Sequence, residues 1–92
     1  DSFRLYSNYP NPFNPTTHIK FDLPTSSMVN ITIYNVIGHH IRTLLNSNQP
    51  AGHHSLHWDS RNGVGKKVAA GIYIYSIRTE EFSATKKMVL LE

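Results

Sequence analysis

Apolar residues recur at every second position through three separate runs of this chain, and turns separate the runs. Ile19, Phe21 and Leu23 alternate with His18, Lys20 and Asp22; Val29, Ile31 and Ile33 alternate with Asn30, Thr32 and Tyr34. Leu56 and Trp58 share a face opposite His53, Ser55, His57 and Asp59. Successive side chains of an extended strand point to opposite sides, so each run hides one face and wets the other. No stretch carries the 3.6-residue period of an amphipathic helix. Such a chain has to pair its strands and press their apolar faces together.

The turn residues set the order. Pro24–Ser27 reverses the chain, and Asn35–His40, holding Gly38, makes a hairpin before a return strand at Ile41–Leu45. Asn46–Gly52 reads as a loop, and Ser60–Lys67 as a polar loop in which Gly63 and Gly65 suit positive φ. A short first strand around Phe3 and Leu5 precedes Tyr9-Pro10-Asn11-Pro12-Phe13-Asn14-Pro15. Three prolines so close predict a stiff, polyproline-like lead-in, pinned to the body by Tyr9 and Phe13. The chain closes on a hairpin: Gly71 opens a strand at Ile72–Arg78, Thr79–Glu81 turns, and Phe82–Leu91 returns. Met88-Val89-Leu90-Leu91 breaks the alternation, because it puts apolar residues on both faces.

The expected fold class is all-β, an antiparallel immunoglobulin-like β-sandwich of about seven strands. Its 92 residues form one domain, with 1–15 a proline-rich lead-in packed on the sandwich. The expected core is Phe21, Ile31, Ile33, Leu56, Trp58, Tyr73 and Tyr75. One of the two tyrosines suits the corner position that such sandwiches give to this residue.

Composition removes several function classes. The formal charge is +3, and basic residues are scattered apart from Lys66-Lys67 and Lys86-Lys87, too thin a footprint for nucleic acid. No apolar run approaches the ~20 residues of a membrane helix, so membrane insertion is not expected. Without cysteine there is no disulfide, thiolate zinc site or cysteine nucleophile. Six histidines invite a metal reading, but His53 and His57 on one strand face stand ~13 Å apart and His54 points the other way. His39-His40 diverge in the same manner. No metal site is expected, and no cofactor. Nothing resembles a serine elbow with its base, and the adjacent acids Glu80-Glu81 sit in an exposed turn. An enzyme is not expected.

Four segments, in order, carry a resemblance: YPNPFNPTTHIKFDLP at Tyr9–Pro24, VNITIYNVIGHHIRTL at Val29–Leu44, PAGHHSLHWDSRNGVGKKVAAGIYIYSI at Pro50–Ile77 and TKKMVLL at Thr85–Leu91. Together they resemble the C-terminal sorting domain of type IX secretion, the export route of Bacteroidetes-like bacteria. Ser60 stands where that family usually has a glycine after its Trp-Asp pair. The resemblance implies a non-catalytic module that is covalently preceded by an exported cargo domain. It implies a secreted or cell-surface location reached through the periplasm. The implied partners are the type IX outer-membrane translocon and a surface peptidase. It also implies a sorting signal at Gly71, Lys86, Lys87, Met88, Val89 and Leu90, the last five as contacts. Lys86 and Lys87 alternate sides of the sheet, one in solvent and one snorkelling along it. Two other readings share the fold. A carbohydrate-binding module would need a platform among Tyr34, Trp58, Tyr73 and Tyr75, and a passive structural or assembly module would need no site. Ile72 and Ile74, facing outward, suit a protein partner better than a sugar.

Overall fold

In the computed structural model, which describes residues 2–92, the alternating runs become seven strands, with no helix among the described residues. They are β1 (Arg4–Leu5), β2 (Thr17–Leu23), β3 (Ser27–Asn35), β4 (His40–Gln49), β5 (Gly52–Trp58), β6 (Gly71–Arg78) and β7 (Ser83–Leu90). The strands pair antiparallel in two sheets, one ordered β1-β2-β5 and the other β4-β3-β6-β7. The protein is an all-β, immunoglobulin-like sandwich.

The inner faces are the apolar halves of the alternation. Ile19, Phe21 and Leu23 of β2 share one core with Val29, Ile31 and Ile33 of β3 and with Tyr73, Tyr75 and Ile77 of β6. Trp58, at the end of β5, is completely buried. Its ring lies 5.9 Å from Phe13 and edge-on to Tyr73 at 5.3 Å, and its Nε1–H donates to the Arg61 carbonyl at 2.9 Å. Leu56 differs from the other expected core residues in being only half-buried. It sits on an edge strand and has a neighbouring strand on one side only.

Two stretches depart from the sequence reading. Asn46–Gln49 is not a loop but the second half of β4, with Asn46, Ser47 and Asn48 opposite Asn30, Val29 and Met28. Polar side chains are tolerated there because β4 is an edge strand and β3 supplies the ladder. The β3–β4 register also skips Leu44 and Ile41, two bulges that aim both side chains at the core outside the strict alternation. The lead-in is not a polyproline rod either. It is a series of bends, with cis peptides before Pro10, Pro12 and Pro15 and bridges at Tyr9 and Phe13. Phe13 is buried, but the Tyr9 ring is exposed, because its backbone pairs with outward-facing His18. What holds that end is polar: buried Asn8 donates to Thr17 Oγ1 at 2.9 Å, and Thr17 donates to the Pro10 carbonyl at 2.8 Å.

Positive φ in the loop after β5 falls on Gly65 and Ser60, not on Gly63. Ser60 sits at φ 67°, is buried, and its Oγ donates to the Pro15 carbonyl. Glycine would adopt this conformation without strain, whereas it costs an L-residue roughly 1–2 kcal/mol. The hydroxyl offsets that cost by tying the loop to the lead-in. Ser60→Ala keeps the conformational cost and loses the bond, a net loss of about 1–2 kcal/mol. Ser60→Gly loses the same bond but relieves the backbone, so thermal melts should place the glycine variant near wild type and the alanine variant below both. An alanine variant melting above the glycine variant would contradict this account.

Candidate functional site

The terminal hairpin is built by β6 and β7, with a turn whose geometry is set by Thr79. Its N–H donates to the Phe82 carbonyl at 2.8 Å, and its Oγ1 accepts from the N–H groups of Glu81 and Phe82 at 3.2 and 3.0 Å. Phe82 then stacks on Phe3 at 5.3 Å, fixing the turn to the opposite end of the chain. At the other end Gly71 enters β6 at φ +150°, opposite Leu90. A Cβ there would meet nothing, so the glycine answers a backbone requirement and not a steric one.

The register sorts the side chains cleanly. Tyr73 faces Met88, Tyr75 faces Lys86 and Ile77 faces Ala84 on the inner side. Both tyrosine hydroxyls find carbonyls: Tyr73 donates to Ala69 at 2.6 Å, four residues upstream as in a tyrosine corner, and Tyr75 donates to Tyr6 at 2.7 Å. Burial pushes the Tyr75 hydroxyl up to about 12, so it stays a donor across the accessible pH range. On the outer side Ile72 faces Val89, Ile74 faces Lys87, and Ile74 also lies across from Tyr34 of β3. Val36 and Ile37, both exposed, leave β3 at the same end of the sheet as Ile72. The outer face thus carries an apolar stripe with one exposed lysine, Lys87, beside it.

Of the expected signal residues, Met88 and Leu90 are core side chains and cannot be contacts while the domain is folded. Lys86 is half-buried on the inner side, Lys87 is exposed, and Val89 is half-buried on the outer side. The backbone edge at Val89 is held by a feature the sequence reading did not contain. The lead-in runs along the free edge of β7 as a strap. Asn11 Oδ1 accepts from the Val89 N–H at 3.0 Å, the Phe13 N–H donates to the Val89 carbonyl at 3.0 Å, and the Leu91 N–H donates to the Phe13 carbonyl at 2.8 Å. Asn14 Nδ2 adds a bond to the Glu92 carbonyl at 2.7 Å. The signal in the sequence is the asparagine ahead of two of the three prolines, with Phe13 between them to anchor it.

The aromatic residues considered for a sugar platform do not form one: Trp58, Tyr73 and Tyr75 are buried, which leaves Tyr34 alone. The histidines of β5 separate as well. His53 pairs with Asp22 at 2.6 Å, and His54 stacks inward on Phe21 at 5.0 Å. Hydrogen bonds from Tyr6 and His53 hold the Asp22 carboxyl below the usual range.

A family model described as the FlgD Ig-like domain matches residues 8–82, ending before β7. Three solved structures align over most of the chain. Dimeric latent PorU from Porphyromonas gingivalis superposes with a TM-score of 0.74 at 18% identity, over 95% of this chain and 9% of that one. FLGD from P. aeruginosa gives 0.64 at 25% identity, over 80% and 58%. PorZ, described as an essential bacterial surface component of the type-IX secretion system of P. gingivalis, gives 0.63 at 17%, over 96% and 11%. The chain therefore spans about a tenth of PorU and PorZ and somewhat over half of FLGD. At 17 and 18% identity the two Porphyromonas similarities speak to the fold alone. Comparison with curated protein sequences gives no match.

Proposed function

This chain belongs to the FlgD Ig-like domain family, and from that premise we propose that it is a non-catalytic secretion signal domain for a type IX translocon. In this reading it is carried behind an exported cargo domain and takes that cargo to the cell surface, where a surface peptidase meets it. The observation that carries the proposal is the outer face of the terminal hairpin. Ile72, Ile74 and Val89 form an apolar stripe beside Lys87 on the hairpin that holds the sorting pattern. Ile72 is exposed and Ile74 and Val89 are half-buried, and outward-facing apolar side chains grouped on a rigid sheet suit a protein partner. The order of the four sequence segments, and the shared fold with PorZ, a surface component of such a system, support the same reading. Recognition then uses Ile72, Ile74, Lys87 and Val89, while Met88 and Leu90 hold the strand in place.

A second reading, a passive assembly module, draws on the match to the FlgD family and the 25% identity to FLGD itself. One experiment separates the two. A reporter fused ahead of residues 1–92 in a type IX-competent host should reach the surface. The double variant Ile72→Asp/Lys87→Glu should leave it in the periplasm with its melting temperature within a few degrees of wild type. Truncating at Lys86 is a poorer test, because it also removes the core residues Met88 and Leu90. Surface arrival of the double variant at wild-type level, or periplasmic retention of the folded wild-type fusion, would favour the passive module.

A further inference from the structure

Away from the terminal hairpin, the outer face of the β1-β2-β5 sheet sets two histidines side by side. His18 of β2 is directly opposite His57 of β5, with ring centroids 6.3 Å apart. The pair is of the closely spaced kind. The His18 N–H and C=O are both committed to Tyr9 on the other side, at 2.8 and 3.0 Å. His18 and His57 are therefore a non-hydrogen-bonded pair, in which Cα atoms approach to about 4.5 Å and side chains lie nearest.

Both rings are exposed, and neither makes a side-chain hydrogen bond among the described residues. That separates them from the other histidines of the two sheets. His40 bonds Thr43, His53 bonds Asp22, and His54 bonds the Pro50 carbonyl. From these observations we propose that His18 and His57 chelate one divalent transition-metal ion of the imidazole-preferring class, clipping edge strand β5 to β2. Two imidazoles on one tetrahedral ion, with metal–nitrogen bonds of about 2 Å, bring their centroids to about 5 Å. The rings need to close by about 1 Å, a small side-chain rotation at an exposed position. Tyr9, beyond His18 in the same row, offers a phenol; water fills the remaining positions. Lys20 and Ser55 are the next pair along this face, and the lysine opposes the ion's charge. The site is an open, two-nitrogen one, and its affinities follow the order copper(II) above nickel(II) and zinc(II).

The test is zinc(II) titration of the full 92-residue chain, followed by imidazole-ring NMR and by calorimetry. One ion should bind, the rings of His18 and His57 should shift with a single midpoint, and copper(II) should bind more tightly. His18→Gln and His57→Gln should each weaken binding by about tenfold or more, a scale that even outer-shell partners reach. His39→Gln should leave it unchanged. The proposal fails if the His18 and His57 rings do not shift together in the wild-type protein. It also fails if either single variant binds as tightly as wild type, or if binding is lost in His39→Gln.

Discussion

Trp58→Ala is expected to remove a large share of the domain's stability. The indole is completely buried between Phe13 and Tyr73, and its Nε1–H is spent on the Arg61 carbonyl. Truncating a core aromatic to alanine costs about 3–5 kcal/mol. A domain of this length holds roughly 5–14 kcal/mol in all. At about 4–8 °C per kcal/mol the midpoint should fall by at least ~12 °C. Trp58→Phe separates the two contributions. It keeps most of the volume and loses the hydrogen bond, so about 1–2 kcal/mol should go with it. A midpoint for Trp58→Ala within about 5 °C of wild type would mean that the loop and lead-in close over the gap. The account of Trp58 as the joint between β5 and the terminal hairpin would then be wrong.

The parts of this fold legible in the sequence are those governed by period two. Ile19, Phe21, Leu23, Val29, Ile31 and Ile33 all point inward, because alternation alone assigns a face once a strand exists. Bulges defeat that logic. Leu44 and Ile41 reach the core only because β3 skips them in the register, and no local pattern marks the skip. Polar edge strands defeat it too, as Asn46–Gln49 shows: the ladder from β3 decides, not side-chain preference.

At the candidate sites the illegible part is long-range pairing. The two-sided apolar end of the chain was plain from Met88 to Leu91, but its free edge is held by Asn11–Asn14, with bonds that span 78 residues. The His18–His57 pair escaped for the same reason. Spacing along one strand tests His53 against His57, whereas a chelating pair can lie across two strands, and only the register brings it together.

The strap yields the second large effect. Phe13→Ala should cost about 3–5 kcal/mol as a core truncation, and it should also free an edge. The Val89 and Leu91 N–H groups point away from β6 and are held by Asn11 Oδ1 and the Phe13 carbonyl. Met88, one residue earlier, pairs with Tyr73 within the hairpin. Under native conditions, hydrogen exchange in the variant should therefore accelerate at Val89 and Leu91 far more than at Met88. Asn11→Ala, which removes a single acceptor, should accelerate Val89 alone at a cost of about 1 kcal/mol. An unpaired edge is a template for another strand, so Phe13→Ala should also self-associate more readily. Equal acceleration at all three amides would mean that Phe13 serves only the core. Selective acceleration would make the lead-in a restraint on the strand proposed to be recognised. The proposed stripe at Ile72 and Val89 is then read from its outer face, because the edge beside it is already occupied.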